Sequence, residues 1–265
     1  MESVVASFQN SSYGKLACVA IVVGFAAVNL KALPFAYTFQ ILPSLYRLFK
    51  PRFAKRRPRR DLGASTEQHT AAPPALFKHH VTRSRAIFSD LDINIHKSNS
   101  TFFVDADISR ARLLTTLLSE GLATLGPANF ILASVTCKFR QEIPPYKAYV
   151  VSSRILAWNE QAMYLVTYFL KPGMKLPLEL DVLGGPDAVL KDDKYRKAVF
   201  ATMVTKYVFK AGRKTVSPHD VLRSAGLLIG PEQKGASTRS EGFYDIREIE
   251  QAVKHGLEYV QGCME

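Results

Sequence analysis

The sequence predicts an α+β fold in which an antiparallel sheet wraps one buried central helix, behind an N-terminal membrane anchor. Three observations carry this. The stretch "DISRARLLTTLLSEGLATLG", residues 107–126, has helical spacing and is too apolar around its circumference to stand in solvent. The segments that follow it alternate with period two between turn residues. Residues 16–30, "LACVAIVVGFAAVNL", are apolar throughout except for Asn29.

Fifteen helical residues reach only about 22 Å, short of a hydrocarbon core about 30 Å thick. A helix extended from Tyr13 to Pro34 reaches roughly 33 Å, with Lys15 and Lys31 snorkelling toward the headgroups. "ALPFAYTFQILPSLYRLF" follows; aromatic, apolar and twice interrupted by proline, it reads as interfacial. Next come Lys50, Arg52, Lys55, Arg56, Arg57, Arg59 and Arg60 with no acid among them, more than half of the formal net charge of +12. A cleaved signal peptide carries its charge ahead of the apolar part, whereas here it lies on the far side. The expectation is a single-pass or a monotopic anchor, with residues 13–60 touching membrane lipid. The positive-inside rule then puts the C-terminal domain in the cytosol, with the endoplasmic reticulum as the candidate membrane.

With the charge so concentrated, the remainder is not a uniformly basic nucleic-acid binder, and no aromatic ladder is interleaved to stack bases. Cys18, Cys137 and Cys263 lie far apart without CxxC spacing, which argues against a zinc site or a disulfide framework and fits a reducing compartment. His69 and the His79-His80 pair have no partners at metal spacing.

Residues 61–76 are polar, small and proline-containing, and read as a linker. "KHHVTRSRAIFSDLD" reads as a short strand. In the central helix Ile108, Ala111, Leu114, Leu118, Leu122 and Leu125 form the apolar stripe, and Gly126-Pro127 stops it. "NFILASVTCKFRQEI" is a strand. "YKAYVVSSRILAWNEQAMYLVTYFLK" is a hairpin turning at Asn159-Glu160. "YRKAVFATMVTKYVFK" is a further strand ended by "AGRK". Residues 172–197 between them read as an irregular insertion. Ser217 and Pro218 start a helix that Gly226 stops. Residues 231–242 look loose, and Ile246, Ile249, Val253, Leu257 and Val260 mark a final amphipathic helix. The organisation is therefore 1–50 anchor and interfacial segment, 51–76 basic run and linker, 77–225 folded domain of sheet and central helix, and 226–265 C-terminal amphipathic helix extension.

The chemistry concentrates in "SDLDINIHKSNSTFF", residues 89–103. Asp, Asn and Ser close turns through side chain to backbone bonds, and Asp90, Asp92 and Asn94 can do only that. A carboxylate such as Asp92 can also attack a carbonyl or activate water, next to peptide N–H groups at a buried helix start that polarise the carbonyl. No G-x-S-x-G, P-loop or G-x-G-x-x-G is present.

One long helix wrapped by an antiparallel sheet, opened by this motif, resembles a hotdog-fold thioesterase. Acyl-thioester hydrolases of the 4-hydroxybenzoyl-CoA type often carry D-x-x-G-H-V-N-N-x-x-Y before the central helix. The matching residues here are Asp92, Ile95, His96, Lys97, Ser98, Asn99 and Phe102. The chain looks most like the group called thioesterase superfamily member six. That group shares an apolar start with a basic segment, S-D-x-D at the motif, and D-x-x-R entering the helix, seen at Asp107 and Arg110. It also shares L-x-W-x-x-x-A-x-Y-L, seen at Leu156, Trp158, Ala162, Tyr164 and Leu165, and S-P-x-x-V, seen at Ser217, Pro218 and Val221. The "HKSNS" variant resembles fungal thioesterase-like proteins, some of specialised metabolism. The resemblance covers the anchor and residues of about 80 to 225.

The resemblance implies Asp92 and His96 as catalytic residues, with Ser98, Asn99, Phe102 and Phe103 binding substrate. Asp105, Asp107 and Arg110 are expected at the helix N-terminus, where the acids can cap it and favour its dipole. It implies hydrolysis of fatty-acyl or polyketide thioesters with no cofactor, coenzyme A or an acyl carrier being part of the substrate, and a homodimer. The other readings are a non-hydrolytic lyase, dehydratase or cyclase, and a non-catalytic acyl-binding module. Two departures stand out: Ile95 replaces the family's glycine, and Ser98 replaces the first asparagine.

Overall fold

Period-two alternation produces six antiparallel strands: β1 His80–Arg85, β2 Ala128–Phe139, β3 Ala148–Trp158, β4 Met163–Leu170, β5 Val199–Ala211 and β6 Lys214–Val216. They form one sheet in the order β1-β3-β4-β5-β2, with β6 paired to β5. The computed structural model describes residues 12–53, 76–126, 128–228 and 246–264. Most of the basic run, the expected linker and the loose stretch at 231–242 lie outside these. The hairpin turns where expected: Asn159 Oδ1 accepts from the N–H groups of Gln161 (3.0 Å) and Ala162 (2.8 Å). Ser217 caps its helix by accepting from the His219 N–H.

The sheet has two buried faces, so its central strands have little alternation in exposure. On one face Tyr149, Val151 and Ile155 of β3, with Leu165 and Phe169 of β4, pack toward the central helix α3, Asn99–Thr124. A hydroxyl chain also joins them: Ser109 Oγ lies 2.9 Å from Ser153 Oγ, which lies 2.8 Å from Thr167 Oγ1. The architecture is a hotdog-like fold, a curled antiparallel sheet around a helix, as the sequence predicts.

The opposite face is covered as well. Residues 172–197 are not irregular but fold into α4 Leu178–Leu183, α5 Gly185–Lys191 and α6 Asp193–Arg196. With the final helix α8, Ile246–Met264, they bury Val150, Leu156, Val166, Tyr168 and Leu170. α8 lies so close to β3 that a Cβ on Gly256 would stand 2.7 Å from the Leu156 carbonyl oxygen. The short helix that follows β6 is α7, Pro218–Ser224.

The expectation of one spanning helix from Tyr13 to Pro34 is corrected. The apolar helix α1 runs Ser12–Val28, about 25 Å, and no helix among the described residues is long and apolar enough to cross a membrane. It does not continue to Pro34. Asn29 leaves helical geometry and turns its amide back to the Phe25 carbonyl (2.8 Å), and Leu30–Ala32 form a single 3-10 turn. A second helix, α2 Ala36–Phe53, then lies along α3. Tyr37 donates to Asp107, Arg112 to the Gln40 carbonyl, Arg47 to Thr116 and Arg52 to Asn129. Lys31 does not snorkel outward. It turns inward onto two carboxylates, because these are buried and lack enough positive charge of their own.

Candidate functional site

Residues 90–98 form a closed loop at the start of α3. Leu91 and Lys97 pair as an antiparallel bridge, the Asp92 N–H donates to the His96 carbonyl (3.0 Å), and the Ile95 N–H donates to the Asp92 carbonyl (3.0 Å). The Ser98 N–H closes the base by donating to the Asp90 carbonyl (2.7 Å). Asp92 shapes the tip, its Oδ1 accepting from the Asn94 N–H (2.9 Å). Ile95 sits at φ +58°, the left-handed region that a glycine would take without strain. The residue is 69% exposed.

This loop places His96 between two carboxylates. Its Nδ1 lies 3.5 Å from Asp92 Oδ1 and its Nε2 3.6 Å from Glu142 Oε1. The Asp92 side chain is 27% exposed. Beside them opens a cleft of about 220 Å³ lined by His96, Lys97, Asn99, Phe102 and Phe139 together with residues 140–142. Phe102 is its apolar floor, in edge contact with Phe139 (5.2 Å between centroids) and Phe169 (4.7 Å). Ser98 is the N-cap residue but its side chain caps nothing; it meets Ser100 Oγ instead (3.1 Å). The Thr101 N–H donates to the Ser98 carbonyl (3.0 Å), while the Asn99 and Ser100 N–H groups, at the helix start beside the cleft residue Asn99, have no side-chain cap.

Of the residues singled out by sequence, Asp92, His96, Asn99 and Phe102 come together, Asp92 reaching the cleft through His96. Phe103 does not line it and lies on the exposed flank of α3. Asp105, Asp107 and Arg110 are not at the helix terminus, because the helix starts eight residues before Asp107. Neither acid can cap it. Asp107 takes Tyr37, and Arg110 is buried against Thr205 Oγ1 (2.8 Å) and Met203 Sδ (3.1 Å). Asp105 belongs to a buried charge cluster beneath the loop, with Asp90, Lys97, Lys31 and Tyr149. Burial alone would raise the Asp105 carboxyl, but Lys97 and Lys31 hold it below the usual carboxylate range. Burial, opposed by Asp105, draws the Lys97 ammonium down, and burial followed by the Asp105 charge pushes the Tyr149 phenol far up.

Sequence reading missed that cluster's lysines and the cleft wall of Arg140, Gln141 and Glu142. Only the S-D-x-D spelling hinted at a second acid. It also missed an arrangement on the other face of the sheet. His79 Nδ1 lies 2.8 Å from Ser152 Oγ, and its Nε2 3.0 Å from Asp181 Oδ2. The order serine, histidine, aspartate invites a nucleophile. Here Asp181 is fully buried, bound also by Arg154 Nε and Tyr168 OH, and Ser152 is shut in mid-strand, so a substrate carbonyl has no approach. It is a staple between α4 and the sheet.

The loop, cleft and central helix lie within residues 87–225, which match the family described as the thioesterase-like superfamily. Thioesterase poxG of Penicillium oxalicum is 38% identical over 70% of this chain, and the match spans 66% of that relative's own length. The probable thioesterase atnL of Emericella nidulans is 33% identical over 88% of this chain and 80% of its own. Protein THEM6 of Xenopus laevis is 26% identical over 36% of this chain and 46% of its own. A family match over more than half of the chain, centred on the helix, the sheet and the site loop, makes this protein a member of the thioesterase-like superfamily.

Proposed function

We propose that the protein hydrolyses fatty-acyl or polyketide thioesters, carried on coenzyme A or an acyl carrier, as an enzyme of specialised metabolism. The observation that carries this reading is the meeting of Asp92 and His96 with the first turn of α3 at one apolar-floored cleft. Asp92 takes a proton from water as the oxygen attacks the thioester carbonyl carbon. The Asn99 and Ser100 N–H groups at the start of α3 stabilise the oxyanion, its collapse breaks the C–S bond, and the leaving sulfur takes the proton held by Asp92 and departs as the thiol. His96, between Asp92 and Glu142, holds the carboxylate and the water in place.

The cleft is smaller than the roughly 300–1,000 Å³ usual for a ligand site. We assign its missing wall to a second copy of the chain. β2 is an edge strand of 12 residues with Ile131, Leu132 and Phe139 exposed, and such an edge favours pairing with another strand. The opposite edge, β1, is short and carries Arg83 and Arg85. We further assign a monotopic seat on a membrane, the endoplasmic reticulum being the candidate, with the sheet domain in the cytosol. Leu16, Val22, Phe25, Phe35, Phe39 and Tyr46 are exposed on α1 and α2 and the link between them, and Lys50 and Arg52 follow. The second reading, a non-catalytic acyl-binding module, is favoured by the bond that ties Asp92 into its own turn.

Thiol release from a panel of acyl-CoA substrates by the full-length protein separates the two. Asp92→Asn is expected to lower kcat by about 10²–10⁴-fold, the usual weight of a general base. Hydrolysis equal to wild type would overturn the mechanism, and no hydrolysis by either protein would leave binding as the function.

A further inference from the structure

We propose that Lys31, carried by the apolar N-terminal segment, is a positioning residue for the Asp92–His96 loop, closing a buried charge cluster beneath it so that the site is ordered only when the segment is docked. This rests on the reading of that loop as the site. The cluster holds two carboxylates and two ammoniums. Lys31 Nζ lies 2.8 Å from Asp90 Oδ2 and 2.7 Å from Asp105 Oδ1. Lys97 Nζ lies 3.4 Å from Asp90 Oδ2 and 2.9 Å from Asp105 Oδ2. Exposure of the side chains is 17% for Lys31, 10% for Asp90, 4% for Asp105 and 0% for Lys97, so water does little to screen them.

The charges balance only with Lys31 present. Without it, two buried carboxylates share one ammonium, and one of them stands uncompensated. The loop feels this directly through Asp90, whose carbonyl holds the Ser98 N–H (2.7 Å) and the Thr101 hydroxyl (3.3 Å) and so seats the base of the loop on the start of α3. The neighbours of Lys31 seat the same end of the loop. Asn29 Oδ1 accepts from the Phe88 N–H (2.9 Å), and Phe25 meets the Phe88 ring edge-on at 6.1 Å. The N-terminal segment is therefore a structural part of the site and not a tether to it.

Hydrogen exchange of the full-length protein tests this without reference to activity. Lys31→Met is expected to speed exchange across residues 90–101 by at least about tenfold, with the β4–β5 pairing unchanged. Lys31→Arg, which keeps the charge, is expected to retain protection. Lys31→Met combined with Asp90→Asn restores one carboxylate per ammonium and is expected to recover most of it. Unchanged exchange in Lys31→Met, or an equal loss in the single and double variants, would overturn the proposal, the latter by showing that Lys31 acts through bulk alone. Thiol release by the same proteins reports separately on the hydrolase reading: its absence in wild type sinks that reading and leaves the exchange result standing.

Discussion

Two buried charge clusters lie on opposite faces of one sheet, and they are built differently. The outer one is a single acid, Asp181, held by Arg154, Tyr168 and His79, all from the sheet or the strand entering it. The inner one has two acids and two lysines drawn from the N-terminal segment, the site loop and α3. The outer cluster over-determines one carboxylate and fixes a covering helix. The inner one is balanced only as a whole, so any missing member is felt at the loop. A buried charge cluster beneath the candidate site thus also reports whether distant pieces are in place.

The outer staple can be broken most heavily. Arg154→Met leaves Asp181 buried without its guanidinium and is expected to cost about 3–5 kcal/mol, read as a fall in the denaturant midpoint. Burial alone would raise the Asp181 carboxyl, but Arg154 holds it well below the usual carboxylate range. The folded value is depressed, so the stabilisation is complete above the unfolded value of about 3.9 and is lost as pH falls below it. The deficit of the variant against wild type is therefore expected to shrink in acid, and a deficit independent of pH would show that packing, not charge, is the staple.

A smaller effect sharpens the contrast from the same face. Gly256→Ala puts a methyl 2.7 Å from the Leu156 carbonyl oxygen and 2.8 Å from the Ala157 Cβ. It is expected to cost about 1–3 kcal/mol by pushing α8 away, with exchange rising in β3 and not in residues 90–101. Coupled loosening of both regions would merge the two clusters into one unit. The smallest effect has the opposite sign. Ile95→Gly relieves a β-branched residue at φ +58° and is expected to stabilise the fold by about 1 kcal/mol, the strain outweighing the added chain entropy. A loss of stability would show that the exposed isoleucine is held by contacts of its own.

Much of the sheet was legible because its signals are local. The Asn159 turn, the Ser217 cap and the alternation of β2 to β5 need only neighbours in sequence. The central helix was legible from its leucines, but its first two turns were not. "NSTFFVDA" spells turn chemistry, and it is helical because Phe102 and Ala106 face the core and Asp105 is neutralised from elsewhere. The helices of 172–197 were hidden among prolines and glycines, and they stand because Asp181 meets Arg154. Of the site, the Asp92–His96 loop was readable as a motif. Glu142 and Lys31 were not, since each reaches it only through the fold, and the apolar run around Lys31 spoke for lipid.

The inward turn of Lys31 also sets an order of events during synthesis. Asp90 follows Lys31 by 59 residues. At a ribosomal pace of about 5–20 residues per second, the ammonium waits roughly 3–12 s for its first acid. Through that interval the ammonium, in the turn after an apolar helix, has neither of the acids that bind it in the fold. Docking of the N-terminal segment on the loop therefore comes only after the chain has been made through Asp105.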